Sequence, residues 1–233
     1  ARHEKWRGYT WKRPQEVYGD GNFVLYDSPG AEDIKQGRCG DCYFLASISA
    51  LAEFPDRIPR IFLTNEVNDV GCYAVELYIN GEKRTVVVDD YFPYEAESGT
   101  WAFSQPSETV TPDRDVEIWV LVLEKAWAKV FGSYQRIEGG SAGEAMYPMT
   151  GCPSHQFYHD DLNDIEGFWQ RLVQCDKRNF PMCTCTFAAA DKDVNSSDLK
   201  MAGLQDAHAY TLIGVKKIVK DDTTEERLLK VRN

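Results

Sequence analysis

The chain has 233 residues, 43% of them hydrophobic, and a formal net charge of −11. That length suits one large domain or two small subdomains with a sizeable core, while the acidity argues against a nucleic-acid surface, which needs concentrated basic patches. No run of eighteen apolar residues exists, and the opening "ARHEKWRGYTWKRPQEV" is too charged for a signal peptide, so no membrane span is expected.

The segment "WKRPQEVYGDGNFVLYDSPGAEDIKQG" is rich in Pro, Gly and Asp and reads as an ordered extended lead-in without regular structure. From Cys42 to about Phe54 the apolar residues cover so wide a face that this helix should be buried on most sides, with Asp41 at its N-cap position. "CYAVELYINGEKRTVVVDDYFPY" alternates around Asn80 and Gly81, which predicts an antiparallel hairpin from Cys72 to Asp89. Next, "EAESGTWAFSQPSETVTPDRD" reads as a polar surface excursion, and "VEIWVLVLEKAWAKVF" as a second central helix. The glycines of "IEGGSAGEAMYPMTG" break the pattern and place a subdomain junction near Gly140. After it come one helix, over about 162–175, and three strands in "PMCTCTFAA", "AHAYTLIGVKKI" and "RLLKVRN". Helices first and strands second predict an α+β fold whose halves, 1–140 and 141–233, meet at a seam.

Seven cysteines, an odd number with several inside apolar runs, suit packing thiols in the reducing interior of a cell. In "QGRCGDCYFLASISALAEF", Cys39 and Cys42 admit more than one reading. Zinc would need two more ligands, and the one-residue spacer between Cys183 and Cys185 is poor for that role. A redox pair belongs to a βαβ unit, which this pattern lacks. Both could simply pack. Cys42, however, lies in the first turn of a buried helix, where free N–H groups and the dipole favour a thiolate. Gly37 and Gly40 let the chain turn sharply there, and the Gln36 amide with the Cys42 N–H could hold an oxyanion.

A nucleophilic cysteine needs a base and a group that orients the base. Of four histidines, His3, His155 and His159 sit in charged or polar surroundings that suit solvated surface. His208 opens a strand of the second half, where it is either a hydrogen-bonded core histidine or a functional one. Asn233 closes the next strand, and its amide oxygen can accept from an imidazole N–H. Cys42, His208 and Asn233 thus follow the chain order of a Cys–His–Asn triad.

These stretches resemble the calpain-type cysteine protease core. "QGRCGDCYFLAS" is similar to the family's Q-G-x-x-G-D-C-W signature around the nucleophile, "AHAYTLIGV" to its G-H-A-Y segment around the base, and "LLKVRN" to the segment around its asparagine. "WKRPQEV", "VVVDDYFP" and "LEKAWAKVFGSYQRIEGGSAGEA" extend the similarity from about Trp11 to Asn233. The resemblance implies a papain-like fold with a cleft between a helical and a β-rich subdomain. It implies Cys42 as nucleophile, His208 as base, Asn233 as its orienting partner, Gln36 as oxyanion donor, and Gly140 and Ala207 beside the substrate backbone. Cys39 is then incidental. The resemblance also implies a regulatory calcium ion held by Asp33, Glu117 and the carbonyls of Tyr26 and Ser28, an all-oxygen set of the kind hard cations take. Protein or peptide substrates, an intracellular setting and further domains in a longer chain follow from it too, as does the alternative of a catalytically silent calpain-like module that binds calcium or protein. The sequence departs from the family at Tyr43, where tryptophan is usual, at Ala207, where glycine precedes the base, and at Ala31, where an arginine links two calcium sites.

Overall fold

A computed structural model describes residues 8–106, 115–187, 196–219 and 225–233. The first half opens with strand β1 (Tyr9–Lys12), a short helix α1 (Pro14–Tyr18) and strand β2 (Phe23–Val24). Helix α2 (Cys42–Ala52) follows, then the hairpin β3 (Cys72–Ile79) and β4 (Glu82–Asp89), then β5 (Phe92–Glu95), β6 (Thr100–Trp101), β7 (Val116–Glu117) and helix α3 (Trp119–Phe131). Helix α4 (Ala142–Thr150) and helix α5 (Ile165–Lys177) lead to strand β8 (Met182–Cys185), helix α6 (Ser196–Met201) and the long strands β9 (Ala209–Val219) and β10 (Glu225–Arg232). The fold is therefore mixed helix and strand. β1, β5 and β6 form one antiparallel sheet, β8, β9 and β10 another with β9 central, and β2 pairs in parallel with β7.

The hairpin turns at the expected place: Asn80 takes φ 53° and Gly81 φ 84°, and Ile79 pairs with Glu82 and Cys72 with Asp89. Positive φ at both central residues is what a two-residue turn between twisted strands requires. In α2 every residue from Tyr43 to Ala52 is buried. Phe44 stacks on Trp127 of α3 at 5.4 Å, and the Trp127 indole N–H donates to the Tyr43 hydroxyl at 3.1 Å. One large core holds these helices, the hairpin and the Ala145 and Met149 side chains of α4; a smaller core gathers Trp169 of α5 with Leu212 and Val215 of β9.

Three local expectations are corrected. The lead-in carries short regular elements, α1 among them, begun by Pro14 at a position where a missing N–H costs nothing. The stretch expected as a surface excursion turns inward, with Trp101, Ala102, Phe103 and Ser104 all buried, because its two aromatic rings find partners in Tyr18, Phe92, Tyr9 and Tyr134; its residues 107–114 lie outside the described ones. The glycine-rich stretch after Gly140 contains α4, nucleated by a capping box in which the Ser141 hydroxyl accepts from the Glu144 N–H and the Glu144 carboxylate from the Ser141 N–H.

Trp127 joins the two central helices, so Trp127→Ala should cost about 3–5 kcal/mol of folding stability. Denaturant unfolding measures this, and Trp127→Phe, which keeps a stacking ring but loses the pyrrole half of the indole with its N–H donor, should cost less than Trp127→Ala.

Candidate active site

The Cys42 thiol sits at the first residue of α2 and is half-buried, the one position of that helix open to the surface. The turn before it is clamped on two sides. Lys35 and Gln105 exchange both backbone bonds at 3.1 and 2.8 Å, and the Arg38 N–H donates to the Ala102 carbonyl at 2.9 Å. On the other side the Gly139 N–H donates to the Gly40 carbonyl at 2.8 Å. Gly37 permits the close approach: a Cβ there would lie 1.9 Å from the Phe103 carbonyl oxygen.

Asp41 holds the N-cap position but does not cap: its side chain makes no capping hydrogen bond, and the carboxyl turns inward, fully buried. The Phe44 and Leu45 N–H groups instead donate to the Asp41 carbonyl, at 2.8 and 3.1 Å. Among the described residues no main-chain acceptor takes the Cys42 N–H, so it remains a donor facing outward, as first-turn amides do. The Gln36 amide donates to the Cys39 carbonyl at 2.9 Å, which occupies one of its two N–H bonds and leaves the other. Cys39 is buried, its thiol directed at the Tyr134 carbonyl at 3.7 Å. All seven cysteines are free thiols, and among the described residues no group of three or more His, Cys, Asp or Glu forms a metal cluster, so no zinc ligand set assembles around Cys39 and Cys42.

The second half brings His208 and Asn233 together. His208 Nε2 lies 2.6 Å from Asn233 Oδ1. An amide oxygen only accepts, so this contact assigns the proton to Nε2 and leaves Nδ1 as the ring's acceptor. The phase of β10 produces the encounter. A bulge between Lys230 and Val231 shifts the register against β9, so that Val231 meets Leu212 and Arg232 meets Thr211; without that shift the face on which Asn233 projects would reverse. His208 is anchored by its backbone, its carbonyl accepting from the Thr186 N–H at 2.9 Å and its N–H donating to the Thr186 hydroxyl at 3.1 Å. Ala207 beside it has φ 47°, a left-handed conformation that favours the glycine whose place it takes.

The sheet docks onto α2. The Thr211 hydroxyl donates to the Ala46 carbonyl at 2.9 Å, both groups buried, and Arg232 pairs with Glu53 just past the end of α2. Cys183 and Cys185 share one face of β8. The Cys183 thiol, pushed up to about 12 by burial, meets the Ser47 hydroxyl, and Cys185 is raised chiefly by burial, with a smaller contribution from its nearness to Cys42. Among the described residues, however, no hydrogen bond joins Cys42 to His208. Gly140 is exposed and backs onto Tyr43, whose ring would lie 2.5 Å from an added Cβ. Thr211, Cys183 and Cys185 were not singled out by the sequence as neighbours of the nucleophile; the strand alternation of "MCTC" carries that signal once α2 is known to be the surface it meets.

The four residues expected at the calcium site lie in one region. The parallel pairing of Val24 with Glu117 sets Glu117 beside the loop that follows β2. Glu117 and Asp33 are both buried. The Ser28 N–H donates to Glu117 Oε1 at 3.2 Å, while Asp33 Oδ2 accepts from the Gly30 N–H at 2.7 Å and from the Trp119 indole at 3.4 Å. The Tyr26 hydroxyl donates to Asn65 at 3.1 Å, its carbonyl lying in the same loop. His155 and His159 are exposed, and His3 lies outside the described residues.

A family model described as "Calpain family cysteine protease" matches residues 1–233. The chain is 31% identical to "Calpain-type cysteine protease DEK1" of Zea mays over 96% of its own length and 10% of that protein's. It is 28% identical to "Calpain-2 catalytic subunit" of Homo sapiens over 98% of its length and 31% of that protein's, and 30% identical to "Calpain-14" of Homo sapiens over 96% and 30%. It thus spans only a tenth to a third of the length of these curated relatives. The chain belongs to the calpain family of cysteine proteases.

Proposed function

We propose that the protein is an endopeptidase in which Cys42 attacks a peptide carbonyl, with a papain-like cleft at the seam between residues 1–140 and 141–233. The observation that carries this reading is the 2.6 Å contact of His208 Nε2 with Asn233 Oδ1, in a chain of this family, on a sheet docked against the Cys42 helix. The Cys42 thiol gives its proton to His208 Nδ1, and the thiolate sulfur adds to the carbonyl carbon. The oxyanion takes the Cys42 N–H and the second N–H of Gln36. As the intermediate collapses the C–N bond breaks, the imidazolium hands its proton to the leaving amine, and a thioester remains on Cys42. Water, deprotonated by His208, then releases the acid and the thiol. Asn233 keeps Nε2 protonated, so that Nδ1 is the nitrogen presented to the thiol. Gly140 and Ala207 line the substrate backbone. A hydrogen bond from the Cys42 thiol to His208 has to form for this, and a misplacement of about 1 Å costs about a hundredfold in rate. Protein or peptide substrates follow from the chemistry, and an intracellular setting suits seven free thiols.

Calcium fits the first half as a regulatory ligand. Two buried carboxylates, Asp33 and Glu117, face one loop whose amides already turn toward them, and the donor set is oxygen only, with the Tyr26 and Ser28 carbonyls completing it. A bound ion would draw the loop after β2 and the start of α3 together. The sequence departure at Ala31 removes the arginine that would couple this site to a second one.

An epoxysuccinyl thiol trap with calcium should label Cys42 covalently in the folded full-length protein. Absence of labelling would leave a catalytically silent calpain-like binding module. Asn233→Ala should lower kcat about 10- to 100-fold through loss of imidazole orientation, with little change in KM. In titration calorimetry on the 1–233 chain, Asp33→Ala together with Glu117→Ala should weaken calcium binding more than about tenfold, equivalent to about 1.4 kcal/mol; an unchanged affinity would remove the site.

A further inference from the structure

Beneath the Gln36–Cys42 turn lies an acidic pair that the proposed chemistry does not use. Asp41, next to the nucleophile, is 0% exposed and Glu124, in the middle of α3, is 2% exposed. Glu124 Oε1 accepts from the Ser104 N–H at 2.9 Å, in the segment to which the turn is bonded through Ala102 and Gln105. Neither Asp41 oxygen makes a complete hydrogen bond among the described residues. The groups facing the pair are the Cys39 thiol from the same turn, Tyr43 from α2, Tyr134 from the 3-10 turn after α3, and Glu138 beyond it, with Asp89 and Glu144 farther out. No cation stands among these named groups. Asp41 and Glu124 lie within interaction range of each other, and because two carboxylates only accept, a hydrogen bond between them requires a proton on one of them.

We propose that Asp41 and Glu124 are positioning residues whose carboxyls both stay protonated and hydrogen-bond each other, tying the turn of Gln36 and Cys42 to α3 without a buried charge opposing the one that develops on the nucleophile. This rests on the protease reading. Burial is the main cause that lifts both carboxyls, Asp41 to about 7 and Glu124 well above its ordinary range, with their mutual repulsion adding to the Glu124 shift. Below about pH 7 the pair is neutral, and above it Asp41 carries a negative charge that Glu124 still hydrogen-bonds. That charge lies beside the residue that must itself become negative, so kcat falls as pH rises through about 7. Stability moves in the same direction: folded Asp41 holds a proton that the unfolded chain releases near 3.8, so its contribution is complete below that pH and is lost as pH rises through about 7.

The test compares Asp41→Asn and Glu124→Gln with the unsubstituted full-length protein. Asp41→Asn holds the site neutral and near-isosteric, and should abolish a fall in kcat of about tenfold across about pH 6 to 8 while KM stays unchanged. Glu124→Gln still accepts from the Ser104 N–H and donates to Asp41, so the fall should move to lower pH. The melting temperature, measured over about pH 4 to 8, should decline less steeply in Asp41→Asn than in the unsubstituted protein. That readout needs no turnover, so it tests the pair even if the protease reading fails. Superimposable melting and kcat profiles in all three proteins would overturn the proposal.

Discussion

The burial of α2 on all sides is the constraint from which the rest of the structure follows. Once Tyr43 to Ala52 are all enclosed, by α3 and α4 on one side and by β8 and β9 on another, the helix can meet solvent only at its N-terminus, where Cys42 stands. Enclosing a helix that completely takes partners from distant parts of the chain, which is why Thr211 must reach Ala46 across 165 positions. The same enclosure forces the turn before Cys42 to be thin. Gly37 gives the backbone contact with Phe103 that a side chain would forbid, and Asp41, placed where a cap would stand, is driven inward because the space outside is already occupied by the 101–105 and 138–139 segments.

A second constraint acts on the sheet. Asn233 meets His208 because the β9–β10 register changes at a single bulge, and a strand pattern has period two, so one residue decides which face is shown. Ala207 works in the same direction at the other end of the pair. Its φ of 47° turns the chain into β9 and presents His208 at the start of that central strand. A left-handed alanine costs on the order of 1 kcal/mol relative to glycine. The fold carries that strain beside His208, not in the core.

How much of this the sequence displayed depended on how local the signal was. The α2 helix, the Asn80–Gly81 hairpin and the strands around His208 and Asn233 are set by periodicity and turn chemistry within a few residues, and they appear close to where those signals put them. The inward turn of Trp101 and Phe103 was hidden because its polar flanks dominate a window average, while its partners lie up to 94 positions away at Tyr9. Helix α4 was masked by glycines, although Ser141 and Glu144 carried a capping-box signature of their own. Nothing local distinguishes an N-cap Asp41 from a buried one. Glu124 did leave a trace, a carboxylate flanked by Leu121, Leu123, Trp127 and Ala128 on the apolar side of its helix, and such a residue needs a partner or a proton.

The links across the seam bear on what activation would involve under the proposed function. Ala46 is four residues from Cys42, about 6 Å along a helix, and Thr211 is three residues from His208, about 10 Å along a strand. Their buried hydrogen bond holds the sheet against α2 about one turn from Cys42, and the pairing of Arg232 and Glu53 holds it at the helix's far end. Bringing Cys42 and His208 together therefore does not require the halves to find each other. It requires a local change in the segments that approach the fixed point, the turn of Gln36 and Cys42 from one side and the Ala207–His208 entry to β9 from the other. Of these, the turn is the one tied to α3 through Ser104 and Glu124, and α3 begins two residues after Glu117. A ligand acting on Glu117 and the protonation of Asp41 would then bear on the same loop from the two ends of its support, which makes the helix α3, and not the seam itself, the element through which both would be felt.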